Sequence, residues 1–185
     1  MINFNRRLLE TLKINLLKHH HLYKQIRCKA EYLEELLTMS LKSDNYEIEW
    51  KPASHDKKKD LIVNGENLSV KSGVLKPHKN EILISGHRLT RFKHDFDKIT
   101  DYLNSSTETL CIYNPDERSE NPKYSIALIK KEKFSGLNRT EWLSNGKNFT
   151  QTNHFDVKFK IQKSMSDQVW WQVPTSQLEI DKEII

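Results

Sequence analysis

The chain has 185 residues, 36% of them hydrophobic, which is enough for one buried core and too little for two. Its 30 Lys and Arg outnumber its 25 Asp and Glu, and the resulting net charge of +5 favours polyanionic partners. The opening MINFNRRLLETLKINLL breaks its apolar residues with Arg, Glu and Lys, and no later run is long and apolar enough for a bilayer. These features exclude a signal peptide's apolar run and a membrane-spanning helix, and the expectation is a soluble, cytoplasmic protein with no membrane partner.

In chain order, residues 5 to 18 place Leu8, Leu9, Leu12, Leu16 and Leu17 at helical spacing, and residues 22 to 42 do the same with Ile26, Ala30, Leu33, Leu37 and Leu41. Between them lies KHHHLYK, whose three histidines diverge on a helix and so suit solvent or phosphate better than one shared metal. Cys28 and Cys111 lack CxxC spacing and read as reduced packing thiols. SDNYEIEWKPASHD then breaks the helical period.

DLIVNGENLSVKSG, residues 60 to 73, reads as a tight hairpin, because Asn-Gly is a strong signal for a two-residue turn. With Asn64 and Gly65 central, Asp60 lies opposite Ser69; with the turn one residue on, Asp60 lies opposite Lys71. In either register Leu61, Val63, Leu68 and Val70 share one face, and Asp60, Ile62, Ser69 and Lys71 share the other. An ordinary solvated ion pair between Asp60 and Lys71 would contribute about 1 kcal/mol or less.

KNEILISGHRLTRF reads as a strand ending in a basic loop, and KHDFDKITDYLN as a helix with Phe96, Ile99 and Leu103 on one face. ETLCIYN, KYSIALI, FDVKFKIQ and QVWWQVP are strand-like segments rich in β-branched and aromatic residues. The loops NPDERSENPK and LSNGKNFTQTN carry Asn, Gln, Arg and Lys suited to base readout. Adjacent in a strand, Trp170 and Trp171 face opposite ways. The expected fold class is α/β: a single domain over residues 1 to 185 with a central mixed β-sheet flanked by helices. Its parts are the N-terminal helices (5 to 42), a hairpin and following helix (58 to 104), and C-terminal strands and loops (108 to 180).

Asp60 followed by SVK at residues 69 to 71 resembles the PD-(D/E)xK nuclease family, many of whose members are type II restriction endonucleases. Lys59 stands where a proline often precedes the aspartate, and Ser69 where the triplet's first acid is expected. KAEYLEELL, residues 29 to 37, resembles the helix from which members supply a glutamate, and ISGHRLTRF, residues 84 to 92, resembles a segment following the active lysine. The resemblance spans roughly residues 26 to 104. It implies a restriction-endonuclease-like fold and Mg²⁺-dependent, sequence-specific cleavage of double-stranded DNA, without an organic cofactor. The implied catalytic positions are Asp60, Lys71, Ser69 and Glu34. Asp60, the Val70 carbonyl and Glu34 or Glu31 would hold Mg²⁺, which prefers hard oxygen donors. Glu34 flanks the apolar stripe most closely, Glu31 follows and Glu35 lies opposite, while Glu81 is a further source of the displaced acid. His87, Arg88, Arg91 and Lys93 are the expected DNA contacts, since Arg suits guanine edges and phosphates. A homodimer is expected because a twofold axis matches a palindromic duplex. Two rivals stand beside this reading: a helix-turn-helix regulator with the hairpin as a wing, and a non-catalytic protein retaining the nuclease fold.

Overall fold

Asn5 opens the first helix by accepting a hydrogen bond from the Leu8 N–H at 2.9 Å, satisfying one of the donors a helix start leaves free. This helix, α1 (Arg6–Leu22), runs through the three histidines and ends at Leu22, so its C-terminal boundary lies four residues beyond the expected 18. In the computed structural model, residues 2–23, 30–50, 60–114 and 123–185 are described, without the side chains of Ala30, Glu31 and Asn114. Ile26, Cys28, Lys59 and most of the loop from 114 to 123 therefore lie outside the described residues. The second helix, α2 (Ala30–Ser43), packs antiparallel to α1. Asn15 donates to the Ser40 hydroxyl at 3.0 Å, and Arg7 donates to the Ser43 carbonyl at 2.9 Å.

Strands β1 (Ile48–Glu49), β2 (Leu61–Val63), β3 (Glu66–Lys76) and β4 (Glu81–Arg88) follow, and then α3 (Phe96–Asn104). After it come β5 (Glu108–Asn114), β6 (Ser125–Ile129), β7 (Leu143–Ser144), β8 (Asn148–Thr152), β9 (Lys158–Gln162), β10 (Gln168–Pro174) and β11 (Ile180–Glu183). One sheet joins them in the order β11-β6-β5-β3-β4-β10-β9-β8-β7, with β2 paired to β3 and β1 to β2. The β3–β5 ladder is parallel and the others are antiparallel, so the sheet is mixed, as expected of an α/β chain. Such parallel neighbours need a crossover, and α3 supplies it. LSNGKNFTQTN is a hairpin of β7 and β8, not the loop the sequence suggests; Gly146 makes its turn with φ +82°.

Helices α1 and α2 cover one face of the sheet, where Leu8, Leu12, Leu33, Leu37 and Leu41 meet Leu61, Leu68, Val70 and Leu110. Full burial of each such side chain contributes about 1.5–3 kcal/mol. Leu17, expected in this stripe, is largely exposed. On the other face Ile99 and Leu103 of α3 meet Ile82, Ile84, Cys111 and Trp171. Trp171 is buried there and Trp170 is half-buried on the opposite side, as their adjacency requires.

Candidate active site

The turn of the β2–β3 hairpin has Asn64 at φ +49° and Gly65 at φ +81°, a conformation that only residues tolerant of positive φ adopt readily. The resulting register pairs Val63 with Glu66 and Leu61 with Leu68, which sets Asp60 level with Ser69. The shifted register does not occur. Leu61, Val63, Leu68 and Val70 are buried under α1 and α2, and Asp60, Ser69 and Lys71 lie on the face toward α3.

The sheet forks at this point. β2 leaves β3 after Leu68, where the Asp60 N–H still donates to the Leu68 carbonyl at 3.0 Å, and β4 joins β3 only from Gly73 onward. Between these limits no strand among the described residues pairs with the Val70 backbone on the fork side, and side chains take its place. The Val70 N–H donates to Asp60 Oδ2 at 2.7 Å, and Lys71 Nζ donates to the Val70 carbonyl at 3.0 Å. Lys71 Nζ also donates to Asp60 Oδ2 at 2.6 Å, and the Ser69 hydroxyl donates to the same oxygen at 3.0 Å.

This is not the solvated ion pair of an ordinary hairpin. The Lys71 side chain is only 10% exposed and that of Asp60 24%. Lysine is almost never fully buried unless paired, because stripping water from an ammonium costs several kcal/mol. Behind Lys71 lies Cys111, its register partner on β5, whose thiol is pushed up by burial, with the Lys71 ammonium opposing.

The far side of the fork is β4. From Ser85 to Arg88 it advances three residues while β10 advances two, from Trp170 to Gln168, so β4 carries a bulge at Gly86 and His87. The bulge turns His87 toward the α3 face, where its ring lies edge-on to Tyr102 of α3 (5.5 Å) and to Trp171 (5.7 Å). Arg91 stands 4.5 Å over the Tyr102 ring and 4.7 Å over that of Phe92. The Tyr102 hydroxyl is pushed up by burial, opposed by Arg91 and reinforced by the Asp60 carboxylate. Tyr102 thus joins the Asp60–Lys71 side of the fork to the His87–Arg91 side.

The other expected residues divide. Arg88 and Lys93 are exposed on the rim, Lys93 at φ +48°. Glu34 is half-buried and Glu35 exposed, the order the helical stripe implies, and α2 covers the sheet face opposite the one that carries Lys71. The side chain of Glu31 is outside the described residues. Glu81 is level with Lys76, five residues from Lys71 along β3 or about 17 Å, and is therefore remote from the fork. His19, expected in solvent or against phosphate, is buried between Tyr23 and Tyr32, and its proton affinity is lowered by that burial and by His20.

Among the described residues no three His, Cys, Asp or Glu side chains converge as a metal cluster. Two hard oxygens, Asp60 Oδ2 and the Val70 carbonyl, both accept from Lys71 Nζ. That donor set fits Mg²⁺, which takes one or two carboxylates and keeps several waters. Tyr102 and the bulge at His87 escaped the sequence reading. Tyr102 looked like one more position on a helix, and a bulge is invisible until two strands are in register. The chain matches no family model, no curated protein and no solved structure with which it was compared.

Proposed function

We propose that the protein is a Mg²⁺-dependent, sequence-specific double-stranded DNA endonuclease of the PD-(D/E)xK type, acting as a restriction enzyme and as a homodimer. The observation that carries this reading is the desolvated Asp60–Lys71 pair at the fork, with the Val70 backbone held by both side chains. A carboxylate and an ammonium so placed suit phosphodiester hydrolysis, in which negative charge grows on the non-bridging oxygens as water adds and the bond to the 3′-oxygen breaks.

In this reading Asp60 and the Val70 carbonyl would hold the metal, with Glu34 or Glu31 as the further acid. Bound Mg²⁺ supplies charge neutralisation and a more acidic water. Lys71 leaves Asp60 to donate to the scissile phosphate or to the attacking water. Ser69, where an acid is usual, keeps one Asp60 oxygen oriented through its hydroxyl. Arg91 and His87 line the opposite wall, with Arg88 and Lys93 on its rim, where guanidinium, imidazole and ammonium donors meet phosphates or base edges. The position of β3 favours this account over a winged regulator, because β3 is a central strand of the sheet and its hairpin partner is tied down by Asp60.

Incubating plasmid with the protein and Mg²⁺, with and without EDTA, tests the reading. Discrete fragments that disappear with EDTA are expected. Retarded plasmid without fragments in either condition would overturn the enzyme assignment in favour of the regulator or the non-catalytic protein.

A further inference from the structure

α1 and α2 cover only part of their face of the sheet. Over β4, β10, β9 and β8, no helix among the described residues lies on that face. The strand registers define what is presented there. Ser85, Trp170, Lys160 and Thr150 form one cross-strand row, and Gln172 stands beside Lys158 in the next. Their alternates, including Ile84, Trp171 and Phe159, are buried toward α3, so this set points outward. Each of the six is half-buried or exposed.

Most of this face carries no acid: β8, β9 and β10 contain no Asp or Glu, and Glu81, at the far end of β4 from Ser85, is paired with Lys79 at 3.8 Å. What they present outward is ammonium, amide and hydroxyl, the groups that bind phosphate oxygens and base edges, whereas the Trp170 indole nitrogen is buried. Lys158 and Lys160 are two residues apart on one strand, about 6.6 Å, close to the axial rise of two nucleotides along one DNA strand. The four-strand row spans about 14 Å. A sheet face of this width can lie on a duplex, as strand-based readers do.

We infer that the open face of β4, β10, β9 and β8 is a second DNA-binding surface, where Lys158 and Lys160 hold phosphates two nucleotides apart on one strand of a duplex and Ser85, Thr150 and Gln172 hydrogen-bond beside them. This rests on duplex DNA being the substrate of the Asp60–Lys71 site. β4 links the two places: Ser85 belongs to the face, and two residues later His87 is turned to the site.

The test is fluorescence anisotropy with a labelled 30-bp duplex in EDTA, so that binding is read without cleavage. Lys158→Ala with Lys160→Ala should bind at least tenfold more weakly, and the slope of log K against log salt should fall by about 1.8, the value for two lost phosphate contacts. Lys13→Ala with Lys18→Ala, on the exposed side of α1, removes the same charge and should leave the slope unchanged. Equal effects from both pairs, or none from the first, would overturn the surface. Lys158→Gln with Lys160→Gln repeats the measurement with longer side chains retained. Stronger competition by single-stranded RNA than by unlabelled duplex would overturn the choice of partner. Failure to cut plasmid with binding still dependent on Lys158 and Lys160 would sink the nuclease reading and leave the surface standing.

Discussion

Replacing Lys71 with Ala is the most informative change to the fork, because stability and activity should both respond. The substitution removes two hydrogen bonds from one ammonium, at 2.6 Å to Asp60 and 3.0 Å to the Val70 carbonyl. The Val70 carbonyl then loses its donor in a place that no strand among the described residues reaches, a loss of about 1–3 kcal/mol. Breaking a fully buried ion pair would cost about 3–5 kcal/mol, but Asp60 is 24% exposed and retains the Val70 N–H and the Ser69 hydroxyl. A net loss of about 2–3 kcal/mol follows, which for a chain of 185 residues lowers Tm by roughly 4–12 °C. Calorimetry measures that shift, while plasmid cleavage should disappear and anisotropy in EDTA should show duplex binding largely retained. A Lys71→Ala protein that melts at the parent temperature and cuts at the parent rate would refute both the buried bridge and the role of the lysine.

Other consequences can be measured independently. Asp60→Asn keeps an acceptor for the Val70 N–H and removes the carboxylate, so cleavage should be lost while Mg²⁺ no longer raises Tm; an undiminished Mg²⁺ shift would remove Asp60 from the metal set. Gly73→Ala places a methyl 2.8 Å from both Cys111 Sγ and Ile82 Cγ2, which should cost about 1–3 kcal/mol in urea unfolding, and Cys111→Ala in the same chain should restore part of it. His19 binds its proton more weakly in the fold than in the open chain, so the stability it contributes is present above about pH 6.5 and is lost as pH falls toward its lowered folded value; His19→Leu should flatten that part of the Tm–pH curve. Arg91→Ala should weaken duplex binding and lower its salt slope by about 0.9, whereas an unchanged slope would place Arg91 away from phosphate.

Some of the site was legible because it follows from local rules. Asn64-Gly65 marked the turn and two-residue alternation set Asp60, Ser69 and Lys71 on one face in either of two registers, between which the structure decided by placing Leu61 opposite Leu68. The stripe on α2 correctly ordered Glu34 as half-buried and Glu35 as exposed. The expected α/β class with a mixed sheet is the class observed. Local rules failed where a contact depends on residues distant in the chain. Leu17 belonged to the helical spacing of α1 yet is 39% exposed, and His19 took a buried place between two tyrosines. The strand pair β7 and β8 looked like a polar loop, since strands on the sheet's outer side need few apolar residues.

Determined by the sequence alone were the hairpin, the shared face of its acid and its amine, and the helical and strand periods, all consequences of backbone geometry over a few residues. Only the tertiary structure decided that β2 and β4 part from β3 around Val70, that the orphaned backbone there is satisfied by Asp60 and Lys71, and that a bulge turns His87 toward Tyr102. A fork and a bulge are relations between strands far apart in sequence, and their hydrogen bonds exist only once the sheet has closed around them.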